Sequence, residues 1–212
     1  MKKIFITLLL LLLSIKFITA QNLTRVLLDP YYPIDFIGLD FSEVKLIGSI
    51  SDYEPSYDVK NRFIPEWNDM FYSQPEKYNV ADFLKKNRVD YSIENMISVN
   101  VKIDETELIS NSNKPAKEFT KVKLQEMINN YNFEFTNEVA MVFVINSLNK
   151  SRKETKLNVV FFNTDKKNIL LSIPLVTEPK GFGFRNYWIG SIYFALKELG
   201  KTEYKKWKKL YK

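Results

Sequence analysis

EVAMVFVINSLNKSRKETKLNVVFFNTDKKNILLSIPLV, residues 138–176, decides how the chain is read. Three β-prone runs stand in it, at 138–147, 155–164 and 168–176. Between them lie NKSRKE and DKK, short polar stretches of the kind that close hairpins. Strands joined so tightly pair antiparallel, and the segment predicts a three-stranded meander. A doubly wound parallel sheet needs helices between successive strands, and this stretch has no room for them. The expectation is a single α+β domain with a mainly antiparallel sheet, helices packed largely on one face, and a helical C-terminus.

The rest of the chain is read against that centre. From Val89 to Ile103 the odd positions read V, Y, I, N, I, V, V, I and the even ones D, S, E, M, S, N, K. Alternation of this length predicts a strand, or two strands in one phase, with Asn95 marking a bulge. IDFIGLDF (34–41) is strand-like, and DFSEVKLIG (40–48) either continues it or opens a helical turn, since Asp40 and Glu43 have capping-box spacing. SISDYEPSYDVKNRF (49–63) reads as a surface loop. Pro65 suits the first turn of a short helix with Trp67, Met70 and Phe71 on one side. Asn79 caps a second, carrying Val80, Phe83 and Leu84. Residues 114–131 form a helix whose stripe is Phe119, Val122, Met127, Ile128 and Tyr131. Two helices close the chain. One runs from about Asn186 to Leu199 and stops at Gly200, and the other is capped by Thr202.

The chain opens with MKK, an apolar run at 4–15 and Ala20 before Gln21, the layout of a secretory signal peptide. Twelve apolar residues fall short of the roughly 20 a spanning helix needs. The expected layout is a signal at 1–20, cut after Ala20, and one domain at 21–212, periplasmic or secreted. An uncleaved anchor is the alternative. With no cysteine, neither a lipoprotein anchor nor a disulfide is available, and the core alone supplies stability.

The formal charge of +6 is unevenly placed. Lys2, Lys3 and Lys16 lie in the signal, and the last 16 residues hold seven lysines and two glutamates. The remainder is slightly acidic, which argues against a nucleic-acid surface. The terminal segment sets Lys205, Lys206, Lys208 and Lys209 beside Tyr204, Trp207 and Tyr211. A cationic face flanking aromatics suits an anionic membrane surface or a partner, and equally a terminal helix packed on its own domain.

Lacking His and Cys, the chain cannot build Ser-His-Asp, Cys-His or His/Cys zinc chemistry. No calcium-loop pattern occurs, and neither metal nor cofactor is expected. A glycosidase needs only two carboxylates, and Asp35, Asp40 and Glu43 are the acids most concentrated in apolar context. The simpler reading has them capping turns or pairing with Lys45.

GFGFRNYWIG (181–190) follows the meander. The dinucleotide fingerprint requires a third glycine where Asn186 stands, and no Gly-Lys-Ser/Thr occurs. Packing at the mouth of a helix fits better, with Phe182 and Phe184 folded onto the sheet, Asn186 as cap, and Gly190 allowing close approach. Arg185 pairs with a carboxylate or holds an anionic ligand, and Arg185, Tyr187 and Trp188 are the candidate binding residues.

GFGFRNYW with the terminal YKKWKK, GLDFSEVKLIG (38–48), IPEWND (64–69) and AMVFVINSLNK leading into VVFFNTDKKNILL resemble a family of small exported bacterial proteins of unknown function. The resemblance implies export and a single domain, and it brings no catalytic residue. The expected function is an exported, non-enzymatic cell-envelope module that binds a protein, a membrane surface or an envelope polymer. A carboxylate-dependent hydrolase of an envelope glycan is the alternative.

Overall fold

A computed structural model describes residues 23–53, 58–110 and 116–211. Residues 1–20, read from sequence as a signal peptide, therefore lie outside the described residues. A short helix, α1, covers residues 23–28. Then come β1 (Ile34–Asp40), β2 (Lys45–Ile47), α2 (Ile64–Ser73), α3 (Val80–Leu84), β3 (Val89–Tyr91), α4 (Glu94–Asn100), β4 (Ile109–Ser110) and α5 (Lys121–Asn129). The second half holds β5 (Val139–Asn149), β6 (Glu154–Asn163), β7 (Ile169–Thr177), α6 (Gly183–Glu198) and α7 (Tyr204–Leu210).

The meander is present: β5 pairs β6, and β6 pairs β7, both antiparallel. The remaining four pairings, β1 with β3, β1 with β5, β2 with β4 and β2 with β5, are parallel. The seven-stranded sheet is thus mostly parallel and the fold α/β, which corrects the expectation of a mainly antiparallel α+β sheet. The parallel half comes from the segment where helices do separate the strands, residues 34–110. One side of β5 carries β1 along its first half and β2 along its second, so β1 and β2 are two stretches of one interrupted strand.

Helices also cover both faces rather than one. The larger core gathers Ile34, Phe36, Leu39, Met141 and Phe143 against α2, α3, α6 and Trp207 of α7. The smaller one sets Ile37, Ala140, Val142, Val144 and Phe162 against Met96 of α4 and Leu124, Met127 and Ile128 of α5. Order β3-β1-β5 explains the split. The chain crosses outward from β1 to β3 and later back from β4 to β5, and crossovers of one hand running in opposite directions must lie on opposite faces. Central β5 is therefore buried on both sides throughout its length.

Residues 89–103 depart most from expectation. Only Val89–Tyr91 is strand, and Asn95 lies in the first turn of α4. Ile93, Met96, Asn100 and Ile103 are buried, at helical spacings of three and four, while Ile97 and Val101 on the alternating phase are exposed. The bulge belongs to β1 instead, where the register with β5 shifts between Phe36 and Leu39. Gly38 sits there at φ 102°, and a Cβ on it would lie 2.5 Å from Asn68 Oδ1.

Side chains satisfy the backbone that the bulge frees. Leu39 N–H donates to Asn68 Oδ1 at 2.8 Å, and Leu39 C=O accepts from Asn68 Nδ2 at 3.1 Å and Asn100 Nδ2 at 2.9 Å. Phe41 N–H donates to Asn100 Oδ1 at 2.8 Å. Helix ends differ from expectation too. Thr120, not an earlier residue, caps α5, and Val122 is exposed. α6 starts at Gly183, and it runs through a π-helical stretch, Leu199–Glu203, into α7. Gly200 therefore does not stop it, and Thr202 does not cap a separate helix.

Asn68→Ala should destabilise the protein by about 1–3 kcal/mol, because it leaves the buried Leu39 N–H without its acceptor while Leu39 C=O keeps Asn100. Urea unfolding followed by circular dichroism measures this. Asn68→Ala with Asn100→Ala should cost more than the sum of the two, since each single variant leaves Leu39 C=O one of these donors and the double leaves it neither.

Candidate functional site

The sequence-derived residues around α6 do not share a pocket. Trp188 is buried in the larger core, stacked on Tyr53 with centroids 6.0 Å apart. Tyr187 is half-buried, with Lys150 Nζ 4.3 Å from its ring centroid. Arg185 reaches Glu66 of α2 at 3.7 Å, and Arg62 shares that carboxylate at 3.2 Å. The Arg185 carbonyl accepts from Trp67 Nε1 at 2.9 Å. Phe184 packs among Phe63, Trp67 and Tyr53, but Phe182 points out, 96% exposed. Asn186 stands inside the helix and donates to Phe182 C=O. Gly190 lies where Lys180 C=O crosses α6, 2.0 Å from the position of a Cβ. This segment is packing chemistry, with Arg185 tied to α2.

The three acids likewise serve separate tasks. Asp35 is buried at the start of β1 and accepts from the backbone N–H of Thr136 and of Asn137. Asp40 is buried at its end and accepts from Ser42 N–H at 2.8 Å and from the Tyr131 hydroxyl. Glu43 pairs with Lys123 at 2.8 Å, while Lys45 pairs with Glu107 rather than with any of the three. Asp40 lies five residue steps along the strand from Asp35, or roughly 16 Å at strand rise. Paired glycosidase carboxyls stand about 5–9.5 Å apart.

Asp40 does line a cleft of about 540 Å³ with Ser42, Glu43, Lys102, Lys123 and Glu126. Burial pushes its pKa up, against the bonds from Ser42 and Tyr131 and with the nearby Glu43 charge adding to the rise. Tyr131, fully buried beside it, is raised as well. Each Asp40 oxygen accepts a hydrogen bond from within the protein, which ties the carboxyl to Ser42 and Tyr131.

A larger opening lies elsewhere. Pro174, Leu175, Val176, Thr177, Glu178 and Lys180 form one wall of a groove of about 750 Å³. Phe194, Lys197, Glu198, Lys201, Thr202, Glu203 and Lys206 of the α6–α7 rod form the other. Consecutive strand residues line it, so it runs along the edge of β7 rather than over one face. Among the described residues β7 pairs with β6 alone, which leaves its outer backbone row without a strand partner. Lys206 is tied to Glu203 at 2.6 Å, and neither Lys180 nor Lys201 has an ion pair among the described residues.

The α7 aromatics face inward. Trp207 is 3% exposed and meets Phe161 edge-on, while Tyr204 and Tyr211 pack against the core. Lys205, Lys206, Lys208 and Lys209 are exposed. Sequence reasoning missed the groove, although Pro174 within a strand-like run is a signal of an edge.

Set beside family models, curated proteins and solved structures, the chain matches none of them. Among the described residues no helix is long and apolar enough to cross a membrane, and no cluster of acidic side chains is arranged to hold a metal ion.

The raised pKa of Asp40 sets a direction for pH dependence. A carboxyl that holds its proton more tightly folded than unfolded favours the fold below the unfolded value, 3.8. That contribution is lost as pH rises through the folded value. Asp40→Asn should therefore unfold at higher urea than the wild type at pH 7, with the gap closing below about pH 4. Urea midpoints across pH 3 to 8 check this.

Proposed function

We propose that the chain is an exported cell-envelope module that acts by binding, and that its partner occupies the groove along β7. One observation carries the assignment of the site: an unpaired strand edge, walled by the α6–α7 rod, in the largest open cleft described. Export rests on the N-terminal pattern at 1–20 and on the resemblance noted above. The absence of His and Cys is consistent with binding in place of nucleophilic catalysis.

The hydrolase reading draws less support. Its best acid, Asp40, spends both oxygens on Ser42 and Tyr131. A membrane contact through the terminal helix would rest on its lysines and Leu210, because Trp207 is committed to the core.

The test is photo-crosslinking in cells. A benzophenone side chain is placed at Val176, at Lys201 or, as a control in the turn between β6 and β7, at Lys166. Adducts of defined mass are expected from Val176 and Lys201 and not from Lys166, on a chain recovered from the envelope fraction with Gln21 as its first residue. Equal labelling at all three positions, or none, overturns the assignment of the groove.

A further inference from the structure

We infer that the groove takes an extended polypeptide segment, which adds to the sheet as an extra strand beside β7. This rests on the reading of the groove as the binding site and names the class of partner. An open edge presents N–H and C=O groups at strand spacing, and another backbone is the ligand that matches such a row.

Pro174 reveals which groups face out. It pairs with Asn158 of β6 yet has no N–H to give, so its backbone belongs to the pairs that point away from β6. Two residues on, Val176 has the same orientation, and its N–H and C=O both face the groove. Outward donors and acceptors are thus concentrated after Pro174, at Val176 and the stretch leading to Glu178. An incoming strand is centred on Val176 and kept short, because Pro174 removes the next donor along.

The surroundings suit a polypeptide with alternating sides. Val176 is 59% exposed, and a β-branched residue opposite it would pair with it on the solvent side. Thr177 faces the other way and is only 8% exposed. Its side chain is turned into the protein, and its hydroxyl is buried. An acidic side chain on the helix side of the added strand would meet Lys201, which has no ion pair among the described residues. Four lysines against three glutamates line the groove, which favours an acidic segment over a basic one. A glycan could use the lysines but would leave the backbone row of β7 unmatched.

The test uses the protein purified from cells expressing the full chain. A random decapeptide library is panned on it, and the selected peptides are titrated while amide exchange is read residue by residue. Strand addition expects peptides with β-branched and acidic residues that slow exchange of the Val176 N–H. Val176→Pro should weaken them at least tenfold, while Val176→Thr changes affinity less than threefold. Because the Val176 N–H points away from β6, Val176→Pro keeps the β6–β7 ladder, and an unchanged far-ultraviolet spectrum verifies this. Peptides that bind Val176→Pro equally well, or leave the Val176 amide unprotected, overturn the inference. Selection of no peptide overturns it too, and so does an oligogalacturonate probe that binds where peptides do not. In either case crosslinks from Val176 and Lys201 decide separately whether the groove remains the binding site.

Discussion

The carboxamide of Asn68 filling the break in β1 is the contact on which the rest of the sheet depends. At Gly38 the strand takes on one extra residue, and this changes which side chains face which core. Ile34 and Phe36 point into the larger core before the bulge, and Leu39 and Phe41 do so after it, while Ile37 alone points the other way. Without the extra residue Leu39 and Phe41 would turn to the opposite face. The freed backbone is buried, and Asn68 and Asn100 satisfy it. Those two residues come from α2 and α4, whose apolar neighbours belong to different cores. A single dipeptide therefore fixes the position of helices on both faces.

That dependence shows why some of the fold was legible and some was not. The meander could be read because its signals are local, hairpin turns between β-branched runs. Parallel pairing is not local. Nothing within IDFIGLDF indicates that its neighbours are β3 and β5, more than fifty and a hundred residues away. The clue available was the unbroken apolar run at 139–145, which suits a strand buried on both faces better than one with a solvent side. Residues 89–103 failed for a different reason. Their β-branched residues alternate, and they also carry a helical stripe at 93, 96, 100 and 103. Tertiary demand chose the stripe, because only a helix brings Met96 and Asn100 together onto the bulge of β1.

The segments IPEWND, GLDFSEVKLIG and GFGFRNYW meet one another in space. IPEWND supplies Glu66 to Arg185, Trp67 to the Arg185 carbonyl, and Asn68 to the bulge within GLDFSEVKLIG. One turn of α2 thus joins the interrupted strand to the mouth of α6. Structural necessity accounts for most of these residues, and the cleft at the mouth of α6, about 340 Å³ between Arg62 and Glu66 on one side and Phe182 to Asn186 on the other, includes neither Tyr187 nor Trp188. The binding candidates Arg185 and Trp188 are held by this junction, and Tyr187 sits beside it under Lys150.

The edge of β7 stands in contrast to that economy of contacts. Exposed edges invite uncontrolled pairing, and proteins usually blunt them with proline, charge or a covering element. β7 carries all three in partial form. Pro174 removes one donor, lysines and glutamates line the approach, and the α6–α7 rod overhangs one side. Together they leave a short window at Val176 that is reachable but narrow. An edge needing protection alone would be served by a charged side chain at 176, since the side chain there is exposed and free of packing demands. Valine at that place adds β-propensity and an apolar contact to the one stretch where the outward backbone groups remain intact. Guarded on both flanks and open at its centre, the edge has the form of a selective docking strand.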